Sequence, residues 1–416
     1  MFDQLYTSPR AINHHSTGPM LEERLHYLAY CATQGSTRSS LRLIAQHLLV
    51  FIEQFNLETI HDVSLDQIQS AANAWVGTRP QAHHMTDCRY GRMRFISDAK
   101  KWLVFLGRLR LPEVPPRPYA QLLEQFCDHL TRDRGLAKST VRIHRWHIGQ
   151  FLERFGQQGR PFTDICIRDL DDAITRKGEQ DGYSRVSIAH YVGTLRVFFR
   201  YAEQCGWCTR GLAAAIMCPR VFADEGLPKG PSWEDVQRLL SSTEGNHPKN
   251  IRDRAIIMLF AVYGLRVAEV RGLGLDDLNW EKELICIRRP KTGRQQSFPL
   301  SYTVGEAILR YLKEVRPRTA HREVFLTLKA PIGPVGPGVL YDLVSDRLVA
   351  LGVKLRHRGP HALRHACASR LLAEGLSMKE IGDYLGHRKL DTTRVYAKVD
   401  LAGLRLVADF DLGGVL

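Results

Sequence analysis

Apolar residues recur at helical spacing through the first half of the chain, and the same arrangement occurs there twice. Three pairs of stretches resemble one another: 41–55 with 141–155, 63–68 with 165–170, and 101–106 with 196–201. Apolar positions three and four residues apart form one face of an amphipathic helix. The pattern therefore predicts two successive bundles of about four helices each, with the first bundle a structural repeat of the second. The alternative is that any two amphipathic helical bundles look alike.

From Ser232 onward the chain mixes helical and strand-like segments. Helical spacing predicts helices at 236–240, 254–265, 340–351, 362–374 and 378–385. Residues 284–288 and 296–300 have a β-type composition, and Pro290–Arg294 between them supplies the proline and glycine of a turn. This pattern predicts a β-hairpin with Lys291 at or near its tip. The fold is therefore predicted to be mainly α with a small antiparallel β-sheet.

Two breaks rich in proline divide the chain. Residues 111–118 contain four prolines, and residues 226–231 contain two prolines and two glycines. Both are predicted to be extended linkers, because proline fixes φ and disfavours helix at the residue before it. Ser232-Trp-Glu-Asp235 then resembles a capping box that opens a helix. The predicted domains are 1–112, 118–222 and 230–400, followed by a tail at 401–416.

Charge favours a polyanionic partner. The chain carries 58 Lys and Arg against 44 Asp and Glu, a net charge of +14, which favours nucleic acid over membrane. Residues 1–15 lack the apolar segment of a signal peptide, and the longest apolar stretch, 256–265, is far too short to span a bilayer. We therefore expect a cytoplasmic protein that binds nucleic acid and has no membrane partner.

Metal and redox sites receive little support. The nine cysteines show no paired framework, and Cys205-Gly-Trp-Cys208 has no second pair to complete a zinc site. His357, His361 and His365 are spaced four residues apart, but Ala362 stands where a zinc protease helix needs Glu. The sequence has no G-x-x-x-x-G-K-[ST] phosphate-binding loop. We expect free thiols, no metal and no cofactor.

A basic helix face marks the second bundle. Lys138, Arg142 and Arg145 recur at helical spacing, so they share one face that can neutralise phosphates along a groove. The alternative is a solvated surface stripe. The end of the first bundle, 89–110, is also rich in Lys and Arg. DNA contact is predicted for both bundles, with the stronger signal in the second.

Six residues of the third part combine phosphate-binding cations with proton carriers and end in a tyrosine. In chain order they are Arg266, Lys291, His361, Arg364, His387 and Tyr396. Alone, each has an ordinary interpretation: a buried arginine paired with Glu269, a solvated turn lysine, a capping histidine or a packing tyrosine. His361 and Arg364 lie one helical turn apart, so they can act together on one phosphate. The set predicts an enzyme that breaks and rejoins DNA through a phosphotyrosine bond.

This chemistry needs these residue types. A phosphodiester attacked by an oxygen builds negative charge on its equatorial oxygens, and fixed cations stabilise that charge. A tyrosine hydroxyl is a poor nucleophile near neutral pH because its pKa is about 10, so nearby cations and a base must help it to ionise. The covalent link conserves the energy of the broken bond, so ATP is not required.

Four stretches resemble the catalytic domain of the tyrosine recombinase (phage integrase-like) family: Tyr263-Gly-Leu-Arg-Val-Ala-Glu269, Lys291-Thr-Gly-Arg294, His361-Ala-Leu-Arg-His365 and 385–396. The second bundle resembles the SAM-like core-binding domain of that family, so the resemblance covers residues 118–400. It implies a tyrosine recombinase catalytic fold preceded by two helical-bundle domains. The first bundle departs from many members, and we interpret it as an extra arm- or core-type DNA-binding module or an assembly module.

The resemblance implies a role for each residue of the reaction. Tyr396 is the nucleophile, which forms a 3′-phosphotyrosyl link and releases a 5′-hydroxyl. Lys291 protonates the leaving 5′-oxygen, and His361 helps to accept the tyrosine proton.

The other residues of the set are implied to bind the phosphate or the DNA. Arg266 and Arg364 hold non-bridging oxygens of the scissile phosphate, His387 donates a hydrogen bond to it, and Glu269 orients the site. Arg294 joins the basic face of the second bundle as a DNA-binding residue.

The resemblance also implies partners. Double-stranded DNA with inverted-repeat target sites is bound by a homotetramer, with one dimer per site, and passes through a Holliday junction. Accessory recombinases are further candidate partners. Apolar residues of the tail fall at helical spacing and are expected to dock on a neighbouring protomer: Leu401, Leu404, Val407 and Phe410. The expected location is the bacterial nucleoid, and the extra bundle favours a mobile-element recombinase over a chromosome resolvase.

Three alternatives belong to other classes. A type IB topoisomerase-like enzyme shares the chemistry without choosing a site, whereas two N-terminal modules favour sequence-directed assembly. A catalytically silent architectural partner requires a broken catalytic set, and all six positions are filled. If the chain is a helical transcription regulator, the six residues of the C-terminal set occur together by coincidence.

Overall fold

The computed structural model describes residues 1–54, 62–77, 85–112, 117–221, 230–289 and 293–386. The chain divides into two compact units, one formed by residues 1–111 with 226–416 and the other by residues 112–225. Separate apolar cores lie among residues 2–103, 123–216 and 236–366. Each core falls within one predicted domain, although the first unit combines the first and third domains. The domain boundaries themselves stay a prediction.

Six helices of the described residues form the first bundle. They are α1 (Phe2–Leu5), α2 (Pro9–Thr17), α3 (Leu21–Thr33), α4 (Arg38–Gln54), α5 (Leu65–Gly77) and α6 (Met85–Phe105). A short parallel sheet pairs β1 (Val63–Ser64) with β2 (Leu109–Arg110). Phe51, Phe95 and Trp102 are fully buried between the helices, so this module has its own apolar core.

The second bundle is also helical, as predicted. Its helices are α7 (Ala120–Arg132), α8 (Lys138–Gly156), α9 (Ile167–Glu179), α10 (Arg185–Gln204) and α11 (Leu212–Ala215). Phe126, Phe198 and Phe199 are fully buried in its core. Aromatic side chains of this size bury large apolar areas, so they dominate the stability of a bundle this small.

The two bundles repeat one arrangement of buried positions. Helices α4, α5 and α6 follow one another in the same order as α8, α9 and α10. Matching positions are buried in both: Leu48 and Ile148, Phe51 and Phe151, Val63 and Ile165, and Ile68 and Leu170. The sequence similarity between the first and second bundles therefore corresponds to a similar arrangement of core residues.

The third part surrounds a small sheet with helices. The helices are α12 (Trp233–Ser241), α13 (Pro248–Val262), α14 (Val267–Arg271), α15 (Tyr302–Glu314), α16 (Pro337–Ala350), α17 (Pro360–Ala373) and α18 (Met378–Leu385). The antiparallel sheet has the order β3 (Leu278–Asn279), β4 (Leu284–Arg288), β5 (Gln295–Pro299). Ile285 pairs with Phe298, and Ile287 pairs with Gln296. The predicted hairpin and the mainly α fold are confirmed.

Helix α13 differs from its predicted bounds of 254–265. It starts at Pro248, which occupies the first turn, where its missing N–H costs nothing. It ends at Val262, and Gly264 then adopts a left-handed φ of 59° that terminates the helical path. Most of its apolar residues are buried, as predicted for this stretch. Among the described residues, no helix combines the length and apolarity needed to cross a membrane.

Candidate active site

Arg266 is held at the start of α14 by Glu269. The Arg266 backbone N–H donates to Glu269 Oε2 at 2.7 Å, and Arg266 Nη1 donates to Glu269 Oε1 at 2.8 Å. The Glu269 side chain is 1% exposed, whereas that of Arg266 is 34% exposed. The carboxylate is therefore an internal anchor, and the guanidinium of Arg266 reaches the surface.

Arg364 lies on α17 and is 2% exposed. Its Nη2 donates to Leu385 O at 2.7 Å, and its Nη1 donates to Gly264 O. Arg266 Nη2 donates to the next carbonyl, Gly386 O, at 3.3 Å. The last carbonyls of a helix lack partners within the helix and form the negative end of its dipole, so cations are stabilised there. The C-terminus of α18 thus gathers both predicted phosphate-binding arginines.

Glycines permit this close approach. Gly264 and Gly386 both have left-handed φ values, of 59° and 64°. A Cβ at Gly264 would overlap Leu385, and a Cβ at Gly386 would overlap the guanidinium of Arg289. Both positions therefore require glycine for backbone conformation and for space.

His361 lies one helical turn before Arg364 on α17. Its ring contacts that of His365 edge-on, with 4.8 Å between centroids. Desolvation, followed by the charges of Arg364, Arg266 and His357, lowers the pKa of His361 below its ordinary value. The imidazole is therefore neutral at pH 7 and able to accept a proton.

Arg289 is a member of this cluster that the sequence interpretation missed. It follows β4 directly and is 5% exposed. Its Nη1 donates to Glu269 Oε1 at 3.1 Å and to Leu385 O at 2.8 Å. In a strand, residues two positions apart lie on the same side, so Arg289 continues the side of β4 formed by Ile285 and Ile287. All three residues are buried, and this register was the signal in the sequence. Beside Arg288, however, Arg289 resembles half of a solvated basic pair.

Burial of Arg289 is compensated by several acceptors. Its Nε donates to Gln296 Oε1 at 3.1 Å, its Nη2 also donates to that oxygen, and Nη2 reaches Tyr384 O at 3.2 Å. Burial lowers the pKa of Arg289, while the Glu269 carboxylate acts against that shift. An arginine stays charged in proteins, so the guanidinium adds a buried positive charge to the site.

Three members of the predicted catalytic set lie outside the described residues: Lys291, His387 and Tyr396. Their roles stay predictions. The described structure brings together Arg266, Glu269 and Arg364 around the end of α18, which directly precedes residue 387 in the chain. His361 lies near enough for the charges of both arginines to lower its pKa. Converging guanidiniums with a neutral imidazole are suited to binding a phosphodiester and accepting a proton.

The predicted DNA-binding residues lie in two places: three on α8 and one, Arg294, five residues after Arg289, whose backbone N–H donates to Arg294 O at 2.9 Å. Lys138 and Arg142 are exposed on α8, and Arg294 is exposed just before β5. Arg145 is engaged by Glu124 of α7 through two hydrogen bonds, of which Nη2 to Oε2 is 2.8 Å. This ion pair raises the pKa of Arg145 and lowers that of Glu124. Lys138 and Arg142 are therefore better placed than Arg145 for phosphates.

Family comparisons match the two parts that follow the first bundle. The model described as "Phage integrase family" matches residues 232–402. The model described as "Phage integrase, N-terminal SAM-like domain" matches residues 123–206. The cluster around Arg266 and Arg364 lies within the first match, and the basic face of α8 lies within the second.

Individual proteins are similar over most of the chain. A protein of Sinorhizobium fredii named as an integrase/recombinase, y4rA, is 39% identical over 295 residues, which are 70% of this chain and 71% of that protein. Tyrosine recombinase XerD of Listeria monocytogenes is 28% identical over 283 residues, 67% of this chain and 94% of that protein.

A solved structure shares the fold. The XerH site-specific recombinase, in a post-cleavage complex with palindromic difH substrate, aligns with a TM-score of 0.55 at 20% identity, over 69% of this chain and 83% of that chain. This likeness supports the fold, and y4rA supplies the close sequence relationship. The chain belongs to the phage integrase family of tyrosine recombinases.

Proposed function

We propose that the protein is a site-specific DNA recombinase that cleaves and rejoins strands through a 3′-phosphotyrosyl intermediate at Tyr396. The observation that carries this proposal is the convergence of Arg266 and Arg364 on the carbonyls of Leu385 and Gly386. Two guanidiniums from distant elements meet there, directly before the segment that contains His387 and Tyr396. Membership of the family makes strand exchange the expected use of such a site.

The two arginines act on the phosphate. As the tyrosine oxygen approaches phosphorus, negative charge builds on the non-bridging oxygens, and Arg266 and Arg364 stabilise it with charge-assisted hydrogen bonds. Glu269 fixes Arg266 before DNA binds, so little reorganisation is needed at the moment of reaction. His387 is assigned one more hydrogen bond to the same phosphate.

One proton transfer accompanies each bond change of the cleavage step. The Tyr396 oxygen forms a bond to phosphorus and gives up its proton with help from neutral His361. The bond from phosphorus to the 5′-oxygen breaks, and Lys291 donates the proton that makes this oxygen a hydroxyl. A 5′-hydroxyl from the partner strand reverses both steps, so neither a cofactor nor ATP is consumed.

The assembly follows from the same chemistry. We assign as substrate double-stranded DNA with inverted-repeat sites, bound by one dimer per site and joined as a tetramer around a Holliday junction. XerH, with the same fold, was captured on a palindromic DNA substrate, which supports inverted repeats here. The place of action is then the nucleoid, with accessory recombinases as additional candidate partners.

The domain layout completes the proposal. Residues 118–222 bind the core site, residues 230–400 cut it, and residues 1–112 add an arm- or core-type DNA-binding or assembly module. A second basic bundle suits a mobile-element recombinase, which must recognise element ends as well as targets. The similarity to a protein named as an integrase/recombinase favours integration or excision in the same way.

The test is capture of the covalent intermediate. The protein is incubated with nicked suicide DNA from its own genetic neighbourhood, without metal or ATP, beside Tyr396→Phe. A denaturation-resistant adduct formed by the wild type and absent from the variant supports the proposal. Tight binding with no adduct on any neighbouring sequence favours an architectural partner, and relaxation of supercoils without site preference favours a topoisomerase.

A further inference from the structure

A single nitrogen of Arg289 connects the anchors of both phosphate-binding arginines. Arg289 Nη1 donates to Glu269 Oε1 at 3.1 Å, and the same oxygen accepts from Arg266 Nη1 at 2.8 Å. Arg289 Nη1 also donates to Leu385 O at 2.8 Å, and that carbonyl accepts from Arg364 Nη2 at 2.7 Å. The anchor of Arg266 and the anchor of Arg364 are therefore two acceptors of one buried group.

The guanidinium of Arg289 is itself closely confined. Gln296 accepts from its Nε, and Gln296 Nε2 donates to Asp383 O at 3.1 Å, so the side chain of Gln296 links β5 to the end of α18. Gly386 packs against the guanidinium so closely that a Cβ would overlap its carbon. Hydrogen bonds along its edge and packing from Gly386 leave Arg289 little freedom to move.

Arg266 is the less confined of the two phosphate-binding arginines. Its side chain is 34% exposed, whereas Glu269, Arg289 and Arg364 are almost fully buried. Its direction therefore depends on where Glu269 holds it, and Arg289 shares the oxygen of Glu269 that binds the Arg266 guanidinium. A shift of about 1 Å in such a group is enough to cost a large factor in rate.

We propose that Arg289 is a positioning residue of strand cleavage, which fixes the spacing between the Arg266 and Arg364 guanidiniums by bridging Glu269 Oε1 and Leu385 O. This inference rests on the proposed function, because it concerns how the scissile phosphate is held. The role assigned to Arg289 is to hold Glu269 and Leu385, and it is assigned no contact with a reacting atom. A lysine carries the same charge but lacks the planar fork that reaches several acceptors, so it cannot replace the bridge.

The test compares two scissile groups in single-turnover cleavage of nicked DNA. One is the ordinary phosphate, and the other is a methylphosphonate, in which a methyl group replaces a non-bridging oxygen and removes its charge. Variants are Arg289→Met, which removes every donor, and Arg289→Lys, which keeps the charge. Arg316→Met is the matched control, because Arg316 also binds backbone carbonyls, those of His321, Glu323 and Val324, elsewhere in the third part.

Loss of the bridge is expected to slow cleavage of the phosphate by about a hundredfold, the scale of losing one preorganised donor. On the methylphosphonate the same variants are expected to slow cleavage by only about tenfold, because less negative charge builds up on that group and needs stabilisation. DNA affinity is expected to change little. Arg316→Met is expected to lower the melting temperature and to leave the ratio of the two cleavage rates unchanged.

Equal losses on the two substrates in a folded Arg289→Lys protein would overturn the inference and leave Arg289 a purely structural residue. Gly386→Ala provides a second approach, because its methyl group displaces the same guanidinium, and the same substrate-dependent pattern is expected. The proposed function is tested separately. If it is wrong, the wild type forms no covalent protein–DNA adduct beyond what Tyr396→Phe forms.

Discussion

Arg266 and Arg364 approach the same helix end from two elements of the third part: Arg364 Nη2 lies 2.7 Å from Leu385 O, and Arg266 Nη2 lies 3.3 Å from Gly386 O. Adjacent carbonyls thus set the distance between two guanidiniums that are 98 residues apart in the chain (364 − 266). Carbonyls at a helix C-terminus are suited to this task because their partial negative charge stabilises cations without neutralising them. Arg364 donates to carbonyls, whereas Arg266 is also paired with the carboxylate of Glu269.

Glu269→Gln is expected to destabilise the third part and to impair cleavage. The carboxylate is 1% exposed and accepts from both Arg266 and Arg289, so its removal leaves buried positive charge uncompensated. We expect a loss of about 3 kcal/mol in the free energy of unfolding, measured by urea titration. The control is Glu124→Gln, which breaks the exposed pair with Arg145 and is expected to cost less than about 1 kcal/mol. Equal losses in the two variants would contradict this account of Glu269.

The cleavage rate is expected to resist moderate acid. The pKa of His361 is lowered by desolvation and by Arg364 and Arg266, so the base stays deprotonated below the ordinary histidine pKa. The midpoint of the acidic fall in single-turnover cleavage should therefore lie below the ordinary histidine pKa. His361→Gln should lower the rate and remove this acidic fall. A wild-type rate that already drops at the ordinary pKa of about 6.5 would contradict it.

Stability is expected to fall in acid partly through His365. Burial, with the charges of His361 and Arg364, lowers its pKa to about 4 in the folded protein. The unfolded state then binds more protons between the ordinary pKa of about 6.5 and that lower value, so this contribution is complete above the window and is lost as pH falls through it. Urea titrations at pH 5 and pH 7.5 should show a smaller pH effect for His365→Gln than for wild type. The effect should not vanish, because His15 has a pKa lowered to about 4 by burial.

Basic residues of α8 are expected to differ in their contribution to DNA binding. Lys138→Ala and Arg142→Ala should each weaken binding to any sequence and reduce the salt slope of the binding constant by about 1. Arg145→Ala should have a smaller effect, because Glu124 already holds its guanidinium. Fluorescence anisotropy at several salt concentrations measures these slopes. The ranking is wrong if Arg145→Ala matches the other two variants.

Removal of residues 401–416 is expected to separate assembly from binding. The tail carries apolar residues at helical spacing and is predicted to dock on a neighbouring protomer. The truncated protein should still bind one site but fail to form a tetramer on DNA, as measured by analytical ultracentrifugation of the complex. The tail lies outside the described residues. Unchanged assembly of the truncated protein would contradict docking on a neighbour and favour docking of the tail on its own protomer.

Local patterns were enough to predict the hairpin and most helices. Residues 284–288 and 378–385 were predicted with the bounds that β4 and α18 have, because β-type composition and helical spacing are local signals. The end of α13 was misplaced, because the left-handed turn at Gly264 is fixed by packing against Leu385 from a distant helix. Such a contact leaves no mark in the neighbouring sequence.

The candidate site shows the same limit. Arg266, His361 and Arg364 were found because the reaction demands cations and a base in a recognisable order. Arg289 was missed because its function is to bind Glu269 and Leu385, which come from separate elements. The pairing of Arg145 with Glu124 was missed for a similar reason, since it joins two helices. Glu269 was predicted from the sequence because it lies three residues from Arg266, whereas contacts between separate elements appear only in the fold.

The most direct measurement is the identity of the bond between protein and DNA. The adduct trapped on nicked DNA is digested with nuclease and trypsin and analysed by mass spectrometry. Cleavage after Arg394 and Lys398 gives the short peptide Val395-Tyr-Ala-Lys398, which contains one tyrosine. The account predicts a nucleotide attached to this peptide through its 3′-phosphate. A nucleotide on any other residue, or one attached through a 5′-phosphate, would contradict it.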